Sequence, residues 1–178
     1  MDNESRYSED LQCVFRCIEQ TNERIRIKYI GTEHLVLGML HVPDCGACAI
    51  LTRFGVKKRD FSDFFFRKRD MDNSTVGPTP RTKGILDDAK ELALEYTPEK
   101  WNYAISTEHV LMAIIRSQKG YACDFFREQN IDIEGMSLAL EEVFKNDYRL
   151  IERTYSGGEK KTRSSYHFEV RELPHQLD

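Results

Sequence analysis

Few side chains in this sequence are spaced for chemistry. His41, Cys45 and Cys48 form His-x3-Cys-x2-Cys, three soft donors of the kind zinc takes. No fourth ligand is evident. Cys48 also shares a repeat position with Cys123, where a free thiol behaves as a small core hydrophobe. A redox Cys-x-x-Cys would need a βαβ setting that the pattern does not provide. Cys13 and Cys17 lie one helical turn apart, which packing explains. Glu33-His34 and Glu108-His109 each set a carboxylate beside an imidazole. Adjacent helical residues point about 100° apart, so neither pair can readily address one substrate together. No Ser or Cys is placed as an activated nucleophile, and structural histidines are expected. There is no Gly-x4-Gly-Lys-Ser/Thr phosphate loop. Gly157-Gly158-Glu159-Lys160-Lys161-Thr162 lacks the spacing and the preceding strand. The sequence therefore reads as non-enzymatic, with no cofactor and no metal.

Composition narrows the class. The chain has 178 residues, with 40% hydrophobic and 31% charged, enough for one core and a polar surface. The formal charge of −4 argues against nucleic-acid binding. Lys57-Lys58-Arg59 and Arg67-Lys68-Arg69 are short basic runs that solvated helix ends explain. No stretch reaches about 18 apolar residues, so no membrane span is expected. The polar start Met1-Asp2-Asn3-Glu4-Ser5 is not a secretory signal. Five cysteines without a framework suggest reduced thiols and a cytoplasmic protein.

An internal repeat organises what remains. Thr32-Glu33-His34-Leu35-Val36-Leu37-Gly38-Met39-Leu40 recurs as Thr107-Glu108-His109-Val110-Leu111-Met112-Ala113-Ile114-Ile115, 75 residues on. The match runs on to Cys48/Cys123 and Gly55/Asn130. Upstream the offset falls to 71, so about four extra residues enter near Thr97-Pro98-Glu99-Lys100. Each half reads as four helices. Ser8 and Thr79-Pro80 are start signals for the first, and Thr32 and Thr107 for the second. The third ends near Phe54 and Gln129, where Gly55 and Asn130 tolerate a left-handed closure before Val56 and Ile131. The fourth carries Phe61, Phe64 and Phe65 in one half, and Met136, Leu140, Val143 and Phe144 in the other. The joint Met71–Pro78 is polar and turn-rich. The expected architecture is all-α, with repeat one over about 7–69, repeat two over about 79–146, and both inside a domain of residues 1–150. Residues 151–178 read as a flexible tail, with a weak strand pattern at 166–171. Trp101, in the insertion, suits either a partner anchor or a lid on the core.

Tyr29-Ile30-Gly31-Thr32-Glu33-His34-Leu35-Val36-Leu37-Gly38-Met39-Leu40, Thr79-Pro80-Arg81-Thr82-Lys83 and Ser106-Thr107-Glu108-His109 together resemble the repeat signature of the N-terminal domain of Clp unfoldases, the ClpC type most of all. The resemblance covers roughly residues 7–146. It implies an eight-helix domain of two pseudo-two-fold-related four-helix repeats. It also implies docking of substrates or adaptor proteins for an ATP-driven unfoldase and protease, including substrates carrying phosphorylated arginine. Carried over, the ligand residues are Glu33 with Ser8, and Glu108 with Thr79. A capped helix N-terminus can seat a phosphate, and a nearby carboxylate can take the guanidinium. Asp10, close to Ser8, would repel the phosphate, so the site of Glu108 and Thr79 is expected to bind better than that of Glu33 and Ser8. Both carboxylates turned inward and locked to their own chain would defeat this reading. Two other readings stand beside it: a structural accessory subunit of a Clp protease complex, and a zinc or redox protein using His41, Cys45 and Cys48. A free-standing adaptor and the front end of a longer unfoldase both fit. The plain ending at Pro174-His175-Gln176-Leu177-Asp178 favours the second.

Overall fold

The computed structural model describes residues 6–68, 74–97 and 103–155, with residues 147–155 as backbone only. Trp101, Pro98–Lys100 of the insertion, and the tail from residue 156, including the 166–171 strand pattern, lie outside the described residues. Eight helices are present among those described. The first four are α1 (Glu9–Ile25), α2 (Thr32–Leu40), α3 (Gly46–Arg53) and α4 (Lys58–Lys68). The second four are α5 (Pro80–Tyr96), α6 (Thr107–Ser117), α7 (Tyr121–Glu128) and α8 (Ile133–Tyr155). The last helix runs past residue 150, where the tail was expected to begin.

Local chemistry sets most of these boundaries. Leu11 N–H donates to the Ser8 hydroxyl at 3.2 Å, and Thr82 N–H donates to the Thr79 hydroxyl at 3.2 Å. Pro80 follows Thr79 at the first helical position, where its missing N–H costs nothing. Gly55 and Asn130 both take positive φ, 87° and 52°. Val56 N–H then reaches back to Leu51 O at 2.9 Å, and Ile131 N–H to Phe126 O at 2.8 Å, which closes α3 and α7 alike.

One expectation fails at the second helix of each repeat. Thr32 and Thr107 are not caps. Gly31 and Ser106 hold those positions, and each donates its N–H to Nδ1 of the histidine three residues on, His34 or His109, at 3.0 Å. The imidazole does what Glu or Gln does in a capping box, which frees both threonine hydroxyls for contacts elsewhere.

The core runs through both repeats. α2 and α6 are its central helices, buried along nearly their whole length. Phe61 and Phe64 of α4 meet Phe125 of α7 edge-on, with centroids 4.8 and 5.2 Å apart, so the halves share one hydrophobic interior. Two short parallel pairings also tie the halves together. β1 (Tyr29–Ile30) pairs with β2 (Gly77–Pro78), which lies in the stretch expected to be only a turn-rich joint. Tyr7 forms an isolated bridge with Ile105, the same pairing one repeat over.

Candidate functional site

Those pairings decide which groups can meet. Thr79 N–H and the Thr82 hydroxyl both donate to Ile30 O, at 3.0 and 2.8 Å. The start of α5 is therefore stitched to the start of α2, two residues from Thr32 and three from Glu33. On the other side, Ser8 N–H donates to Ile105 O at 2.9 Å and Ile105 N–H to Arg6 O at 2.7 Å. The start of α1 thus sits at the start of α6, beside Ser106, Thr107 and Glu108. The expected pairs, Glu33 with Ser8 and Glu108 with Thr79, are exchanged. The reason is geometric. Within a repeat the first two helices form an antiparallel hairpin, so the start of the 17-residue α1 lies roughly 25 Å along its axis from the turn leading into α2. Only the partner repeat can bring a first-helix start to that place.

Each junction also receives a third helix start. At the first, Thr32 packs so tightly on Gly120, which precedes α7, that a Cβ there would stand 2.7 Å from its hydroxyl oxygen and 3.3 Å from Arg81 Cδ. Gly120 has φ 96°, a conformation glycine adopts without strain. At the second, Ala47 N–H of α3 donates to the Thr107 hydroxyl at 3.3 Å. The first junction gathers α2, α5 and α7. The second gathers α6, α1 and α3.

Both carboxylates are turned inward. Glu33 is 3% exposed and Glu108 is 9% exposed. Glu108 Oε2 accepts from the Thr107 hydroxyl at 2.8 Å, and the carboxylate lies over Gly46 so closely that a Cβ there would overlap it. Glu33 instead folds back on Gly31, where a Cβ would also overlap it. Its Oε1 lies 3.2 Å from His34 Nδ1, but that nitrogen already accepts the Gly31 N–H. With Nδ1 an acceptor the ring proton is assigned to Nε2, so the contact holds no shared proton. Glu33 Oε1 is buried with no hydrogen-bond partner. Unmet buried acceptors of this kind cost free energy and are few in folded proteins; Asn22 Oδ1 and His34 Nε2 are likewise without a partner here.

The histidines support the helix starts rather than chemistry. His34 lies edge-on to Tyr29 and Phe65, with centroids 4.9 and 4.8 Å away. His109 stacks flat on Phe144 at 4.7 Å, and burial lowers its pKa to about 4, so it is neutral near pH 7. The zinc reading loses its geometry. His41 donates Nδ1–H to Leu37 O at 2.8 Å, and burial pushes the Cys45 thiol up to about 12. Cys45 caps α3 by accepting the Cys48 N–H at 3.4 Å. Among the described residues no three His, Cys, Asp or Glu side chains are placed to hold a metal ion.

Duplicated junctions of three helix starts, built around Thr-Glu-His, are the features against which known proteins can be compared. The Clp repeat (R) N-terminal domain matches residues 6–129 and 77–147. The chain belongs to this family. The ClpC ATP-binding subunits of the ATP-dependent Clp protease from Staphylococcus epidermidis and Staphylococcus aureus are each 27% identical over 131 residues, which is 72% of this chain. The chain spans 16% of the length of those relatives. The Hsp104 N-terminal domain from Candida albicans has the same fold, with a TM-score of 0.61 over 77% of this chain and 90% of that one, at 12% identity. The chain is thus a Clp N-terminal domain of the ClpC kind. No helix among the described residues is long and apolar enough to cross a membrane.

Several residues of the junctions were not singled out from sequence. Gly31, Gly46 and Gly120 make room for a carboxylate or a hydroxyl, and only packing shows it. Arg81 carried a weak signal, as the repeat-mate of Asp10 (offset 71), but its placement at Gly120 follows from the crossing of the halves.

Proposed function

We propose that the domain docks proteins for an ATP-dependent Clp unfoldase and protease, and that it recognises substrates through phosphorylated arginine, with adaptor proteins as further partners. The observation that carries this reading is Glu33, a nine-tenths-buried carboxylate whose Oε1 has no hydrogen-bond donor. It lies at the junction where three helix starts and the Arg81 guanidinium supply positive potential. A ligand that is cationic at one end and anionic at the other matches that arrangement. Its guanidinium would give Glu33 the donors it lacks, and its phosphate would face the helix starts. Thr79 and Glu33 therefore act together, and Ser8 with Glu108 forms the related but weaker place.

The test is a pull-down with matched peptides carrying phosphorylated or unmodified arginine, backed by calorimetry with free phosphoarginine. Retention of the phosphorylated peptide alone, lost in Glu33→Ala, is expected. No heat with phosphoarginine would favour the accessory-subunit reading, which the hydrogen bond holding Glu108 to Thr107 already suits.

A further inference from the structure

The outer faces of the two fourth helices, α4 and α8, match in register and oppose in charge. A shift of 75 residues lays Lys58, which begins α4, on Ile133, which begins α8. The core positions keep that register. Phe61 matches Met136 and Phe65 matches Leu140, all four fully buried. The exposed positions reverse. Lys57 matches Asp132, Arg59 matches Glu134 and Arg67 matches Glu142. Residues 57–68 carry five cations and two carboxylates, whereas the matching 132–143 carry four carboxylates and no cation. Core packing does not require this reversal, because all six of those matched side chains lie in solvent. Helical spacing puts Arg59, Asp63, Phe66 and Arg67 on one stripe of α4, and Glu134, Leu138, Glu141 and Glu142 on the equivalent stripe of α8. Each stripe also exposes one large apolar side chain, Phe66 at 48% and Leu138 at 65%. Glu141 is engaged by its own chain, 3.8 Å from Arg116 and 3.7 Å from Lys145. Among the described residues Arg59, Arg67, Glu134 and Glu142 make no ion pair. The two helices begin close together. A Cβ on Gly135 of α8 would stand 2.8 Å from the ring of Phe54, and the chain enters α4 four residues after Phe54.

We infer that these stripes are the two halves of one self-association surface, on which the basic α4 stripe of one copy of this chain meets the acidic α8 stripe of a second copy. Under a two-fold axis between copies each contact is made twice, because residue i meets j and j meets i. Arg59 and Arg67 then oppose Glu134 and Glu142, with Phe66 and Leu138 between the charges. Stacking α4 on α4, or α8 on α8, brings like charges together, which sets the orientation. An acidic or a basic partner of another kind would use one stripe only. A second copy uses both, and the complementarity is written into a single chain. None of these residues belongs to the helix-start junctions, so the inference stands whatever those junctions bind. Exposed ion pairs are individually weak, so the association is weak and falls with salt.

Sedimentation velocity on the full 178-residue chain, at concentrations from about 10 μM to about 1 mM, tests it. Runs in roughly 20 mM and roughly 300 mM salt bracket the screening, since the Debye length falls from about 20 Å to about 6 Å. At low salt the weight-average mass should climb with concentration towards that of a dimer, and at high salt it should return to one chain. Arg59→Glu with Arg67→Glu should be monomeric, and so should Glu134→Arg with Glu142→Arg. Mixing the two variants should restore association, because one then offers two acidic stripes and the other two basic ones. All four side chains are exposed, so both variants should fold, and circular dichroism checks this. Glu134 lies in the first turn of α8. If its reversal unsettles that helix, Glu142→Arg alone should still weaken association about tenfold. A monomer at every concentration in low salt would overturn the inference and leave the stripes to other occupants, residues 156–178 among them. Association that survives salt and both reversals, or variants that stay apart on mixing, would overturn it as well.

Discussion

The α2–α5–α7 and α6–α1–α3 junctions have the same parts and opposite states. In the first, one oxygen of a buried carboxylate lacks a donor, a helix start lacks a side-chain cap, and an arginine lies beside it. In the second, the carboxylate is bonded to Thr107, the helix start is covered, and an aspartate takes the arginine's place in the repeat. Duplication supplies two frames, and substitutions at neighbouring positions decide which frame keeps unmet valences. A residue's role therefore cannot be copied from one repeat to the other, even where Thr-Glu-His is identical.

The largest expected effect is that of acid on the second junction. His109 accepts the Ser106 N–H as a neutral ring, and burial lowers its pKa from the ordinary imidazole value of 6.5 to about 4 in the fold. The unfolded chain takes up this proton first, so the stabilising contribution is complete above about pH 6.5 and shrinks as the pH falls towards 4. The loss expected from this group is roughly 3 kcal/mol across that window. Urea unfolding of the protein and of His109→Phe at pH 7 and 4.5 measures it. Phenylalanine can keep the stack on Phe144 but cannot bind the proton, so its stability should vary less with pH. An unchanged pH dependence would remove His109 as the cause.

A binding difference comes next. Glu33→Ala should cost phosphoarginine affinity about 30-fold, from the loss of a buried charge-assisted contact worth roughly 2 kcal/mol. Glu108→Ala should cost under about threefold. Calorimetry on both variants, each checked for folding by circular dichroism, reads the ratio. Equal losses would make the junctions equivalent after all.

Smaller effects refine the picture. Thr79→Ala and Ser8→Ala each remove a cap and should each lower stability by about 1 kcal/mol, seen as a shifted urea midpoint. Only Thr79→Ala should also weaken phosphoarginine. Smallest of all, Glu128→Gln should change stability by less than about 0.5 kcal/mol. Its 3.8 Å contact with Lys68 is half exposed at both ends and screened by water.

Much of this protein was legible before any coordinates. Apolar periodicity and the repeat itself announced the helices, because burying one face at a spacing of about 3.6 residues is a local requirement. Ser8, Thr79-Pro80, Gly55 and Asn130 marked helix ends, because capping is settled within a few residues of chain. The misreadings were equally local. Thr32 and Thr107 look like caps in isolation, yet the imidazoles of His34 and His109 take the cap N–H groups and leave the threonines to the opposite repeat.

What sequence alone determined was the family, the helices and the residue types gathered at each motif. Tertiary structure alone decided the partners: Thr79 with the start of α2, Ser8 with the start of α6, Glu108 over Gly46 and Arg81 against Gly120. Each partnership spans dozens of residues and depends on how two antiparallel hairpins cross. A carboxylate's surroundings are set by whatever backbone arrives from the other half, and no spacing along the chain encodes that arrival.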